Sequence, residues 1–189
     1  MRTFERVSIC HITNTQASRA YLGFLWLPIL IWLLATCLAI GVSAPLSIVN
    51  TDNAFIFCVA LITVYLVHEA IHYLAFLSSK VDRKCISIKL NPKNLSIDMS
   101  CARNIPISTW RYVLALPCLL LTPVLILATT QSSSPAFFGL ITALAVSGCA
   151  YDLALLLALK GVPRDLLVAP RLQIEGKNLL LVRHPMPNS

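Results

Sequence analysis

Four long apolar stretches, separated by shorter polar segments, dominate the pattern of the chain. They cover residues 21–42, 54–78, 111–130 and 136–160. Each is close to the ~20 residues that a helix needs to cross the ~30 Å hydrocarbon core of a bilayer. The pattern therefore predicts a single domain over residues 1–189, with four transmembrane helices and a polar tail over residues 161–189.

The loop between the second and third stretches, residues 79–110, has a different period. Its segments CISIKL and LSIDMS alternate apolar and polar residues, with NPKN between them. Such alternation predicts a β-hairpin, although a solvated connector is the alternative because short alternating runs are weak signals. The tail segment LQIEGKNLLLV is compatible with a second hairpin that turns at residues 175–177. The fold class is thus mainly α, a polytopic membrane protein with a β-hairpin between helices 2 and 3.

The composition of the chain indicates a membrane protein and argues against nucleic acid as a partner. Hydrophobic residues make up 57% of the chain and charged residues 12%, against about 25% charged residues in soluble domains. The mean hydropathy is +0.77. The net charge of +7 comes from basic residues that flank apolar stretches and form no aromatic-rich patch. Membrane lipids therefore explain these charges better than DNA or RNA does.

The lysines and arginines predict the orientation. Three of the fifteen precede the first stretch, seven lie in the middle loop or at its edge, and five close or follow the fourth stretch. The loops at residues 43–53 and 131–135 contain none. Because basic residues accumulate on the cytoplasmic side of membrane proteins, we expect both termini and the middle loop, with its hairpin, to be cytoplasmic.

Candidate chemistry lies within the second stretch, where the segment YLVHEAIHYLAF contains an H-E-x-x-H motif. His68 and His72 are four residues apart, so on a helix both imidazoles lie on one face and can bind one metal ion. Zinc accepts neutral imidazole nitrogen at ~2.0–2.1 Å. In metalloproteases a glutamate at the position of Glu69 faces the water on the metal and acts as the general base.

Two other interpretations of the histidines remain open. The pair could be unliganded neutral histidines that hydrogen-bond to neighbouring helices, or the ligands of a haem. Haem in a helical bundle commonly takes its ligands from two different helices, and the other histidines, His11 and His184, lie in the polar ends. A metal site is favoured because ionisable residues inside a membrane are rare, costly and usually functional.

The third ligand is sought among the few charges of the spans, because a catalytic zinc usually takes three protein ligands and a water. Apart from Glu69 and the cations at span boundaries, the only charged residue there is Asp152. Asp152 precedes Lys160 by eight residues, and His72 precedes Lys80 by eight residues. Both therefore lie ~12 Å inside the cytoplasmic ends of their spans.

Alternatives for this position are also open. Asp152 could be a buried aspartate paired with Tyr151, with Arg111 or with a helix end. Cys149, one turn away, is a weaker candidate ligand; none of the seven cysteines forms a CxxC pair. The small residues Ser147 and Gly148 would let the fourth span approach the second closely.

These motifs carry a resemblance to a known family. VHEAIHYLAF, the β-like loop, the proline-containing third span and SGCAYDLALLL together resemble the putative zincin peptidases, over about residues 55–182. These small bacterial membrane proteins are allied to the site-2 protease type of intramembrane metalloprotease. The resemblance implies that His68, His72 and Asp152 bind Zn²⁺ and that Glu69 activates water. In well-studied site-2 proteases a glycine follows the aspartate, whereas Leu153 follows it here.

The function expected from residues and resemblance is a zinc metalloendopeptidase of the bacterial cytoplasmic membrane. Its substrate would be a membrane-associated protein or peptide, which could bind by adding a strand to the hairpin. The alternative is a non-proteolytic metal-binding membrane protein, such as a sensor, a scaffold or a degenerate peptidase. A transporter is disfavoured because four spans show no evident internal repeat.

Overall fold

The elements of the fold are defined in a computed structural model. It describes residues 9–11, 14–40, 51–91, 96–160, 162–163, 166–168 and 178–183. The helices are α1 (Asn14–Ile40), α2 (Thr51–Ser78), α3 (Ile107–Gln131), α4 (Pro135–Gly148) and α5 (Ala150–Ala158), with a 3₁₀ turn at Arg83–Cys85. The strands are β1 (Ile9–His11), β2 (Ile86–Asn91), β3 (Ser96–Cys101), β4 (Ile105–Pro106), β5 (Leu166–Val168) and β6 (Asn178–Arg183).

Among the described residues, four helical segments are long and apolar enough to cross a membrane. They are Ala20–Leu38, Ala54–Ser78, Ile107–Gln131 and Pro135–Leu157. The mainly helical fold with four such segments is therefore confirmed. The third begins four residues before the predicted span. The fourth, predicted as one helix, consists of α4 and α5, which meet at Cys149.

Close contacts hold α1 and α3 against α4. The Trp32 indole Nε1 donates a hydrogen bond to the Ala136 carbonyl oxygen over 2.9 Å. A Cβ at Gly139 would lie 3.0 Å from the Trp32 ring, so a larger residue would push this ring out of its position. About one turn further along α4, the Thr142 and Thr129 hydroxyl oxygens lie 3.0 Å apart. Small and polar residues thus fix the packing where apolar side chains alone would allow sliding.

Strands β2 and β3 pair antiparallel, and we call this pair the ribbon. Its register runs from Ile86↔Cys101 to Asn91↔Ser96. Opposed residues point to the same face, so alternate pairs place only apolar side chains on one face of the ribbon. They are Ile86, Ile88, Leu90, Ile97, Met99 and Cys101.

The ribbon lies beside α2 instead of extending away from it. Its Cys101 end is buried in a cluster with Phe76 of α2 and Val113 of α3. At its other end, the backbone N–H of Ile97 donates to the Tyr65 hydroxyl oxygen over 2.8 Å. Tyr65 and Phe76 are eleven residues apart, so the ribbon follows α2 over ~16 Å. The ribbon therefore reaches the level of Tyr65, which is three residues before His68 on α2. The side of the membrane that the ribbon occupies stays a prediction.

A second sheet joins distant parts of the chain. Its strands are all antiparallel and have the order β1-β6-β5-β4. The sheet places the segments that precede α1 and α3 and that follow α5 at one end of the bundle. The predicted tail strand is present as β6, but its partners are β1 and β5. Residues 169–177, which include the predicted turn, lie outside the described residues.

Candidate metal centre

Helices α2 and α5 bring three side chains to one point. His68 and His72 stand one turn apart on α2, and Asp152 belongs to the first turn of α5. The two Nε2 atoms lie 3.1 Å apart. Each lies 3.2 Å from the Asp152 Oδ2 oxygen. His72 and Asp152 are buried, and His68 is half-buried. The structure therefore brings together the two histidines and the aspartate that the sequence analysis singled out.

The triangle of these three atoms fits a zinc ion. Tetrahedral zinc with bonds of ~2.0–2.1 Å places neighbouring ligand atoms about 3.3 Å apart, and the three observed separations are 3.1 and twice 3.2 Å. Two imidazole nitrogens and one carboxylate oxygen form a donor set that zinc accepts in catalytic sites. Three protein ligands leave one tetrahedral position for water or substrate.

The outer ring nitrogens of the histidines have partners of their own. The His72 Nδ1 lies 3.0 Å from the Val113 carbonyl oxygen of α3. A carbonyl only accepts, so Nδ1 carries the proton, and in the neutral ring the Nε2 lone pair faces Asp152. The His68 Nδ1 lies 3.6 Å from the Cys149 Sγ. Partners of this kind on the second nitrogen fix the orientation and tautomer of histidines that bind metals.

Glu69 follows His68 on α2 and is half-buried. Its carboxylate is close enough to interact electrostatically with the His72 ring. The motif thus places the Glu69 carboxylate beside the centre. This carboxylate is not one of the three groups that form the triangle. The role of Glu69 as a base stays a prediction.

The interruption at Cys149 determines where Asp152 lies. Cys149 has φ −75° and ψ −2°, away from the helical ψ near −42°. The Ser147 hydroxyl donates to the Ala143 carbonyl over 2.8 Å, a bond that bends helices. As a result Asp152 falls in the first turn of a helix, where the helix dipole stabilises a negative charge.

Three details of the sequence interpretation change. A Cβ at Gly148 would meet nothing within 4 Å, so close approach of helices does not explain this glycine. Arg111, considered as a partner of Asp152, donates instead to the Leu159 and Val162 carbonyls. The Cys149 thiol contacts the Nδ1 atom of His68, on the far side of the ring from the three candidate ligand atoms.

Two contacts of the centre had no signal in the sequence. The Val113 partner of His72 is a backbone oxygen, which any residue at that position would supply. The side chain of Cys118 of α3 lies close enough to Cys149 to interact with it, and its Sγ lies 3.7 Å from the Thr122 hydroxyl. Neither cysteine is part of a recognisable motif.

Comparison with known proteins identifies the family. A family model described as "Putative zincin peptidase" matches residues 61–167, more than half of the chain, and this stretch includes both histidines and Asp152. The chain therefore belongs to this family, as the resemblance in its sequence indicated. No curated protein and no solved structure matches the chain.

Proposed function

We propose that this protein is a zinc-dependent endopeptidase of the site-2 protease type, which cuts a peptide bond of a membrane-associated substrate. The observation that carries the proposal is the triangle of His68 Nε2, His72 Nε2 and Asp152 Oδ2, with sides of 3.1 and 3.2 Å. Membership of a zincin peptidase family and four helices able to span a bilayer support the same function.

In this proposal His68, His72 and Asp152 hold the metal. When bound, zinc would polarise the scissile carbonyl and lower the pKa of a water molecule towards neutrality. The backbone carbonyl of Val113 and the thiol of Cys149 hold the two rings in place through their Nδ1 atoms. The ligands would thus be oriented before substrate arrives, which is what efficient electrostatic catalysis requires.

Glu69 performs the proton transfers. As the water oxygen bonds to the carbonyl carbon, the Glu69 carboxylate accepts a proton from the water. The protonated Glu69 then donates this proton to the amide nitrogen as the C–N bond breaks. The water oxygen ends in the new carboxyl group, and the departing peptide leaves as an amine.

The ribbon is the proposed binding site of the substrate. Within the described residues it is a sheet of only two strands, β2 and β3. The Ile97 N–H points outward to Tyr65, so this edge of β3 faces α2 close to the histidines. Because alternate residues of a strand direct their N–H groups to the same edge, Met99 presents its N–H there too. An extended peptide that enters between this edge and α2 would displace the Tyr65 hydroxyl and pair with the edge through backbone hydrogen bonds.

The proposed location is the bacterial cytoplasmic membrane, with both termini on the cytoplasmic side. The distribution of lysine and arginine supports this orientation. The sheet β1-β6-β5-β4 adds support, because it gathers the segments before α1, before α3 and after α5 at one end of the bundle.

Glu69→Gln tests the proposal. Full-length protein purified in detergent is assayed with a set of single-span peptides that carry a fluorophore and a quencher. We expect wild type to cleave and Glu69→Gln to lose turnover by roughly 10²-fold or more, the scale of general base catalysis. Bound zinc, measured by mass spectrometry of the metal, should stay at wild-type stoichiometry.

The control is Asp82→Asn, an exposed carboxylate outside the spans that should leave turnover unchanged. Cleavage by Glu69→Gln at the wild-type rate would overturn the role of Glu69. A wild-type protein that binds zinc and cleaves no peptide of the set would favour a non-proteolytic metal-binding protein instead.

A further inference from the structure

A groove opens between α1, α3 and α5, and neither the two histidines nor Asp152 of the metal centre is among the residues that line it. It is open on one side and has a volume of about 410 Å³. The residues that line it are Phe24, Arg111, Leu153, Leu156, Leu157 and Lys160. Within this lining, apolar walls combine with two cations, and no acidic side chain takes part.

The apolar wall is a single helical stripe. Leu153, Leu156 and Leu157 follow the i, i+3, i+4 spacing of one face of α5, and Phe24 of α1 lines the groove with them. Lys160 continues the stripe one turn later and is exposed. The groove therefore changes from apolar to positive along its length, at the end of the span where the sequence predicts the cytoplasmic surface.

Arg111 is held in place by two carbonyl groups just beyond the end of α5. Its Nη2 donates to the carbonyl oxygens of Leu159 and Val162, the second over 2.9 Å. A guanidinium has five N–H donors, and those on Nε and Nη1 have no hydrogen-bond partner among the described residues. A fixed guanidinium with remaining donors suits a phosphate group, because Nε or Nη1 can donate a charge-assisted hydrogen bond to a phosphate oxygen.

We propose that this groove binds one anionic phospholipid, with its phosphate at Arg111 and Lys160 and the upper part of an acyl chain against the leucines and Phe24. Charge complementarity selects this occupant, because two cations disfavour a metal ion and the apolar wall gives no partner to a free phosphate. Basic pockets between spans at a cytoplasmic surface bind anionic lipid headgroups in other membrane proteins. The lipid would contact the turn of α5 that also contains Asp152.

Lipid retention by full-length protein in a mild detergent tests the site. The protein is incubated with phosphatidylglycerol or with phosphatidylcholine of the same acyl chains, and bound lipid is counted by native mass spectrometry. We expect wild type to retain phosphatidylglycerol preferentially. Lys160→Gln should weaken this retention about fivefold, the contribution of one lysine near anionic lipid. Lys160 is exposed, so its replacement leaves the fold intact.

The matched control is Lys80→Gln, an exposed lysine just after α2 that does not line the groove and should change nothing. Leu156→Trp fills the groove and should remove retention, with thermal unfolding as the check on its fold. Equal retention of the two lipids by wild type, or equal losses in Lys160→Gln and Lys80→Gln, would overturn the site. Displacement of the lipid by millimolar inorganic phosphate would overturn the role of the apolar wall.

Discussion

The two spans that meet at the candidate metal centre are built differently. Helix α2 is continuous over 28 residues and contains both histidines in one local motif. The fourth span is interrupted at Cys149, and Asp152 lies in the nine-residue helix that follows. One span can thus supply its two side chains through helix geometry alone. The other needs an interruption and tertiary packing to bring its single carboxylate to the same point.

Of the changes that test this difference between the two spans, removal of Asp152 is expected to have the largest effect, which is on zinc affinity. Asp152→Ala leaves two imidazoles, which α2 still presents one turn apart, and removes the proposed ligand that the interrupted span supplies. Zinc affinity should fall by more than about 100-fold, because outer contacts of ligands alone are worth 10–100-fold. Competition with a chelator of known affinity measures it.

Tyr151→Phe, at the neighbouring exposed position, is the control and should keep the affinity of wild type. Stoichiometric, tightly bound zinc in Asp152→Ala would mean that α2 and some other group suffice, and the proposed three-residue site would be wrong.

A substitution at Cys149, where the fourth span is interrupted, is expected to have an intermediate effect on zinc affinity. Cys149→Ala removes the sulfur that lies 3.6 Å from the His68 Nδ1 and leaves all three ligand atoms in the protein. Zinc affinity should fall about tenfold, the lower end for such outer contacts, since the contact is long. The same competition assay reports it.

Cys58→Ala serves as the reference, because Cys58 is an exposed cysteine of α2 away from the centre. A loss in Cys149→Ala as large as in Asp152→Ala would indicate that the thiol itself binds the metal. Unchanged zinc affinity in Cys149→Ala would show that the Cys149 thiol does not help to orient His68.

The smallest effects concern packing of the interrupted span. Gly139→Ala places a Cβ 3.0 Å from the Trp32 ring, and we expect it to destabilise the protein by about 1–3 kcal/mol, the scale of overpacking. Gly148→Ala meets nothing within 4 Å and should be neutral or stabilising by up to about 1 kcal/mol. Thermal unfolding in detergent compares them. Equal destabilisation by both would show that Gly148 is needed for the interruption.

Much of the helical framework could be predicted from the sequence because length and apolarity decide whether a segment can span a bilayer. The HExxH spacing likewise places His68 and His72 on one face without knowledge of the fold. Asp152 emerged by elimination, since charges within the spans are so few. The structure places Asp152 opposite the histidines. The sequence indicated only that Asp152 and His72 lie at a similar depth in their spans.

Other features of the fold have no recognisable pattern in the sequence. Strands β1, β4 and β5 have only two or three residues, too few for a period of two to stand out. The contact between Ile97 and Tyr65 depends on which way the ribbon turns after Cys85, which alternation does not determine. The interruption at Cys149 follows from backbone angles that neither Gly148 nor Cys149 dictates.

The order of the sheet has a consequence for biosynthesis. Strand β6 lies between β1 and β5, yet it comes last in the chain among the described strands. Strand β1 emerges from the ribosome first and can gain its partner only after all four spans have been made. The sheet would therefore close as a late event of assembly, through contacts between residues far apart in sequence, which form slowly. Until then, β1 would expose a free edge that can attract other nascent chains or a chaperone.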